Sequence, residues 1–162
     1  MACQTKSSRD KGFSLIELLI VVAIILIVAA IAVPSLLSSK MAANESATIG
    51  SMRTMTTAFE NYAVTYSVGY PSTLANLGAS GSPSSTAADL LDAVLVGGSK
   101  SGYNFTYSPS APSANGQINS YTLTATPIQA GVTGRRTFYT DQSLVIRFAA
   151  TGTADSSSSP IS

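Results

Sequence analysis

The sequence predicts an α+β fold: a long amino-terminal α-helix, membrane-spanning in its first half, packed through its second half on a small carboxy-terminal antiparallel β-sheet. Three observations lead there. Leu18 to Ser39 is a run of 22 residues without a charge. Beyond it, Met52, Met55, Phe59, Tyr62 and Tyr66 recur in steps of 3, 4, 3 and 4, which is one stripe of a helix. The remainder sets short runs rich in Tyr, Phe, Thr, Val and Ile between turn residues, as strands require.

The apolar run spans roughly 33 Å at about 1.5 Å per residue, close to the ~30 Å hydrocarbon core of a bilayer. Twelve of the 16 residues from Leu18 to Val33 are Leu, Ile or Val and the rest are Ala. Their insertion is favourable by about 4–7 kcal/mol, against roughly 3 kcal/mol for a carboxylate at mid-membrane and less near an end. Insertion therefore wins despite Glu17 at the entrance. Lys6, Arg9 and Lys11 precede the run, and the next basic residues are Lys40 and Arg53. By the positive-inside rule the amino end stays cytoplasmic and the rest crosses. A cleaved signal peptide is the plain alternative, with Ala30–Ile31–Ala32 as its small-residue site. The run is long for a signal core of about 7–15 residues, and such a core gains nothing from Glu17.

An ionisable residue in lipid calls for a partner. No basic side chain lies in the run. If the chain is cut after Gly12, Phe13 becomes a terminal amine four residues from Glu17, on the same helix face. The two charges can neutralise each other within one chain or between neighbours, and the second case gives subunits a reason to associate.

The residues Lys11 to Leu18, KGFSLIEL, followed by the unbroken apolar run, resemble the processing motif of type IV prepilins and the related pseudopilins. The resemblance is strong over residues 11–37, looser through the following helix and weak in the last hundred residues. It implies that residues 1–12 are a leader removed by a prepilin peptidase, which cuts between Gly12 and Phe13 and N-methylates Phe13. It implies that Glu17 acts in subunit docking. The other implied partners are further copies of the chain, an inner-membrane assembly platform driven indirectly by an ATPase, and the lipid bilayer before assembly. The implied course runs from a precursor in a bacterial inner membrane, head outside, to an extracellular pilus. The family's roles include adhesion, twitching motility and DNA uptake.

The helix is expected in two parts, a hydrophobic segment over 13–39 and an amphipathic continuation over 40–66, about 80 Å in all. Pro34 removes one hydrogen bond and clashes with the Ala30 carbonyl, so it either ends the membrane helix or kinks one that continues, as the resemblance implies. Ala29, Ala30 and Ala32 let neighbouring helices approach closely, and Gly50 is a second weak point. The Met52–Tyr66 stripe reads as domain core. The polar residues before it, Lys40, Asn44, Glu45 and Thr48, are expected to face neighbours or solvent.

The head, 67–162, opens on turn chemistry at Gly69, Pro71 and Gly78. A short helix is expected over 87–96, stopped by Gly97. Strands are expected over 103–107, 120–126, 137–140 and 144–149, the last two forming a hairpin about Asp141–Gln142–Ser143. Tyr121, Leu123 and Ala125 alternate with Thr122, Thr124 and Thr126, giving one buried and one wet face. Residues 153–162 are polar and expected to fray. Arg135 and Arg136 read as a solvated strand start.

Composition limits the chemistry. Charged residues are 10% of the 162, low against about 25% for soluble domains. Net charge is +1, so nucleic acid is not expected as a direct ligand. With no His and one cysteine, Cys3, there is no His base, no zinc cluster and no internal disulfide. No enzyme activity, metal or cofactor is expected. Many pilins close their last loop with a disulfide, which this chain cannot do. Major pseudopilins of type II secretion often carry a calcium loop near the carboxyl end; here Asp141 and Asp155 stand far apart in sequence without other acids, whereas a hard cation wants clustered oxygens. That favours a pilus subunit over a secretion pseudopilin. A membrane-anchored binding module that does not polymerise is a third reading.

Overall fold

One α-helix, α1, runs from Leu15 to Tyr66 with Pro34 inside it, in a computed structural model that describes residues 13–79 and 81–161. The leader assigned to residues 1–12, including Cys3 and Gly12, lies outside the described residues. The chain divides into two compact units, Met1–Leu37 and Ser38–Ser162. In the first, the described side chains are exposed except for half-buried Ala29. The apolar run buries nothing, as a helix built for lipid or for other copies would. The helix passes through Pro34, so the reading in which that residue ends it is set aside. At the far end Ser67 takes the left-handed conformation (φ 54°) and its amide donates to the Ala63 carbonyl at 3.0 Å, closing the last turn.

In the second unit the predicted stripe is the core. Met52, Met55 and Phe59 are fully buried, Tyr62 nearly so, and Tyr66 packs at the margin. The stripe begins earlier than its apolar residues suggest. Met41, Glu45 and Thr48 continue the same steps of 4, 3 and 4 toward Met52, and all three are buried. The expectation that Glu45 and Thr48 face solvent is thus corrected; Lys40 is exposed and Asn44 half-buried. Thr48 satisfies its hydroxyl locally by donating to the Asn44 carbonyl at 2.8 Å.

Against this stripe lies a six-stranded antiparallel sheet in plain sequence order: β1 (Ser99–Lys100), β2 (Tyr103–Pro109), β3 (Tyr121–Pro127), β4 (Thr137–Asp141), β5 (Arg147–Ala149) and β6 (Ser159–Pro160). The β3 alternation is as expected: Tyr121, Leu123 and Ala125 are buried and the threonines between them half-exposed. Tyr103 and Phe105 of β2 and Phe138 of β4 join them under α1. Phe59 sits at the centre, its ring 4.8 Å from both Tyr107 and Tyr121, and Tyr70 stacks edge-on to Tyr121 at 4.7 Å. The β4–β5 hairpin forms as expected, with Phe138 opposite Phe148. Its fifth strand starts at Arg147 rather than 144, because Asp141 caps a turn (Ser143 amide to Oδ1, 2.8 Å) and Leu144 has φ 62°.

Two expectations are revised. The helix expected over 87–96 is only α2, Ala93–Val96. Asp92 starts it as an N-cap, accepting from the Leu95 amide at 2.8 Å, and Gly97 stops it as predicted. The preceding residues are held out of the helix, with Asp89 left-handed at φ 54°: Ala88 donates to the Asn76 carbonyl, and Leu90 and Leu91 to that of Leu77, in a 3-10 turn over Leu74–Leu77. The carboxyl-terminal segment does not fray. Asp155 gathers Ser157 and Ser158 into a turn, β6 pairs with β5, Ala154 is buried, and Ile161 donates to the Ile146 carbonyl at 2.9 Å.

Gly134 marks the tightest approach. A Cβ there would overlap the ring of fully buried Tyr103, whose hydroxyl donates to the Arg136 carbonyl at 2.8 Å. Gly134→Ala should therefore destabilise the domain by about 2 kcal/mol or more, since neither ring nor backbone can retreat. Urea denaturation followed by tyrosine near-ultraviolet circular dichroism measures this; an unchanged midpoint would show that the ring has room to move.

Candidate functional site

The amino end of α1 is built by four residues, Ser14 to Glu17. Helix geometry leaves the first amides without partners, and Ser-x-x-Glu supplies acceptors for them. The Glu17 carboxylate turns back and accepts the Ser14 amide at 3.0 Å, while the Ser14 Oγ accepts the Ile16 amide at 3.4 Å. The carboxylate thus ends one residue from Phe13, which is exposed. The spacing argument placed Phe13 and Glu17 on one face; the capping role of Ser14 was legible in the same four letters and was overlooked. Arranged this way, the carboxylate is a fixed anion beside the position where cleavage before Phe13 would create an amine. Pro34 lies outside this arrangement, further along the same helix.

A second polar centre lies in the Ser38–Ser162 unit around Glu45. The loop from 128 to 136 folds back on itself, with the Gly131 amide on the Gly134 carbonyl at 2.9 Å and the Thr133 amide on the Gln129 carbonyl at 2.9 Å. This presents the amides of Arg135 and Arg136 to Glu45 Oε1 at 2.8 and 3.2 Å, and the Arg136 Nε to Oε2 at 2.7 Å. The Asn44 Nδ2 donates to the Thr133 carbonyl at 2.8 Å beside it. Burial pushes the Glu45 carboxyl upward, but the Arg135 amide, the Arg136 guanidinium and the Arg136 amide outweigh it and hold the group below its ordinary value. The Arg136 guanidinium also lies 5.6 Å from the Phe138 ring centre and 5.2 Å from that of Phe148. The expectation of a solvated arginine pair is corrected: Arg136 is a partly exposed partner of Glu45, and Arg135 alone of the two remains a fully solvated residue.

The two acids weighed as cation ligands come closer in space than in sequence, since both Asp141 and Asp155 act on the Tyr139 hydroxyl. Each is used in a local turn, Asp141 through both oxygens and Asp155 through Oδ1. Asp141 accepts the Ser143 amide and the Tyr139 hydroxyl, and Asp155 accepts the Ser157 amide and the hydroxyls of Ser157 and Ser158. Among the described residues no group of three metal-ligating side chains forms.

Residues 7–33 match the family model described as the prokaryotic N-terminal methylation motif. No curated protein and no solved structure matches the chain.

Proposed function

We propose that this chain, which its methylation motif and long apolar helix make a type IV pilin-like protein, is the structural subunit of a type IV pilus. The motif is common ground for pilins and pseudopilins and points to a structural subunit rather than an enzyme; it implies processing by a prepilin peptidase and assembly into filaments. The apolar helix indicates a membrane-anchored precursor. Within that frame, the proposed course is cleavage between Gly12 and Phe13, methylation of the Phe13 amine, and polymerisation through the exposed apolar face of residues 13–39. Pro34 is the proposed place where that helix gives when copies pack. The reading is supported above all by one observation: the methylation motif leads directly into an apolar helical run that is exposed among the described residues. The pilus is preferred over the secretion pseudopilus because Asp141 and Asp155 cap local turns and, among the described residues, join no cluster of three acidic ligands such as a hard cation favours.

In the proposed docking step, the Glu17 carboxylate exchanges the Ser14 amide for the methylated Phe13 amine of its own or a neighbouring copy. A bond between two opposite charges replaces one between a charge and a neutral amide, and neither charge is left alone in a low-dielectric setting. Glu17→Val should therefore insert into the membrane and keep the head's stability while filament yield falls about tenfold or more, the equivalent of roughly 1.4 kcal/mol per added subunit. Normal fibres from Glu17→Val would remove the docking role. Mass spectrometry of the mature chain tests the processing step: a methylated Phe13 terminus is expected, and a terminus at Met1 or Val33 would overturn it. Deletion that abolishes surface filaments supports the pilus; a secretion defect with no loss of filaments supports the pseudopilus instead.

A further inference from the structure

We infer that Asn115 is a self-modification site: the Gly116 amide nitrogen displaces its side-chain amide as ammonia, and water turns the product into aspartate or isoaspartate. The loop from 110 to 120 thereby gains its first charge. This chemistry lies in the head alone and does not rest on the pilus reading.

Asn115 is the one asparagine of the sequence followed by glycine; the others precede Glu45, Tyr62, Leu77, Phe105 and Ser120. Glycine has no Cβ to screen its own nitrogen, so Gly116 offers the preceding side chain the least hindered attack in the chain. The fold keeps that advantage. Asn115 and Gly116 are both exposed, and the Asn115 side chain has no hydrogen-bond partner among the described residues. Beyond the chain neighbours, no atom lies within 4 Å of where a Gly116 Cβ would sit. Asn44 and Asn76, by contrast, are tied down: their Nδ2 atoms donate to the carbonyls of Thr133 and Ser85.

One restraint opposes the reaction. Residues 113–116 form a turn closed by the Gly116 amide on the Ser113 carbonyl at 2.8 Å, with the Ser113 amide on the Gln117 carbonyl at 2.8 Å behind it. The Gly116 nitrogen must give up its proton, so the first of these bonds has to open. One exposed turn bond slows the reaction roughly 2–10-fold against an unstructured peptide and does not stop it.

The step balances without an oxidant. Hydroxide takes the Gly116 N–H proton, and the nitrogen forms a bond to the Asn115 Cγ. The Cγ–Nδ2 bond breaks, and ammonia leaves with a proton returned by water. The five-membered imide then adds one water. Opening at Cγ leaves aspartate; opening at the Asn115 backbone carbonyl leaves isoaspartate, whose main chain runs through the side-chain carbons and is one carbon longer. Either product places a carboxylate where no residue from 110 to 120 is charged, and lowers the +1 net charge of the sequence by one. The loop that displays it is anchored just beyond α1: Gln117 Nε2 donates to the Ser67 carbonyl at 2.9 Å and the Tyr70 amide to the Ile118 carbonyl at 2.8 Å.

The test uses the full chain in detergent, purified in mildly acidic buffer and then held in mildly alkaline buffer beside a synthetic peptide of residues 111–120. Peptide mapping with electron-transfer fragmentation follows Asn115 and Asn119, the latter exposed in the same loop but followed by serine. Residue 115 should convert to a mixture of isoaspartate and aspartate, roughly 2–10-fold more slowly than in the peptide, while residue 119 stays asparagine. Isoelectric focusing should show a growing acidic band that Asn115→Gln lacks. If residue 115 stays asparagine while the peptide converts fully, the turn holds the nitrogen shut and the site is disproved. Equal conversion at 119, an acidic band that persists in Asn115→Gln, or aspartate without isoaspartate would each overturn it as well.

Discussion

Phe59→Ala should lower the stability of the head by about 3–5 kcal/mol, the range for deleting a fully buried aromatic ring. The ring is at the crossing of α1 with β2 and β3, in contact with Tyr107 and Tyr121, and it has no exposed surface. Its removal leaves a hole bounded by tyrosines whose own rings are fixed elsewhere. The Tyr107 hydroxyl donates to the Pro71 carbonyl at 2.7 Å, so that ring cannot swing into the space. Val64→Ala, on the exposed side of the same helix, should change stability by less than about 0.5 kcal/mol. Equilibrium urea denaturation of the full chain in detergent, read by tyrosine circular dichroism, compares the two. Similar midpoints for both variants would mean that the stripe is not what holds helix and sheet together.

Glu45→Ala should cost about 3 kcal/mol, because it strands three donors at once: the amides of Arg135 and Arg136 and the Arg136 Nε. Arg136 is partly open to water, which keeps the loss below that of a wholly enclosed pair. Glu45→Gln keeps an acceptor for the amides and should lose only about 1–2 kcal/mol. The pH dependence follows from the same contacts. The folded carboxyl titrates below its ordinary value, so its contribution is complete above the unfolded value and disappears as pH falls through the folded one. Wild type should therefore lose stability on acidification through that window, and Glu45→Ala should lose less. Parallel curves for the two proteins would show that the carboxylate is not the titrating anchor.

Glu45 also shows where sequence reading stopped. The Met52–Tyr66 stripe was legible because its residues are apolar at helical spacing. The same stripe reaches back through Thr48 and Glu45 to Met41, but polarity hid it. A buried carboxylate is betrayed only by its donors, and these come from 90 residues away in a loop with no regular pattern. The β3 strand and the β4–β5 hairpin were legible from alternation and from a turn at Asp141. The helix expected over 87–96 was overextended because Ala and Leu favour helix locally, while the carbonyls of Asn76 and Leu77 offered the backbone a different set of partners. The amino-terminal site was legible in its charges, those of Glu17 and a Phe13 terminus, while Ser14, which carries no charge, shows its part only through its short-range cap bond to the Ile16 amide. The polar tail was misjudged for a related reason: Ser157 and Ser158 close a turn on Asp155, which sets Ser159–Pro160 beside β5.

Each strand of the sheet lies beside its predecessor in the chain. A head that forms in chain order could therefore zip up from β1 onward, every hairpin closing on a neighbour already present, with no strand held idle for a distant mate. The last strand, Ser159–Pro160, then covers the edge of β5, so a head truncated before Ala154 should keep that edge raw and open to pairing with other unfolded chains.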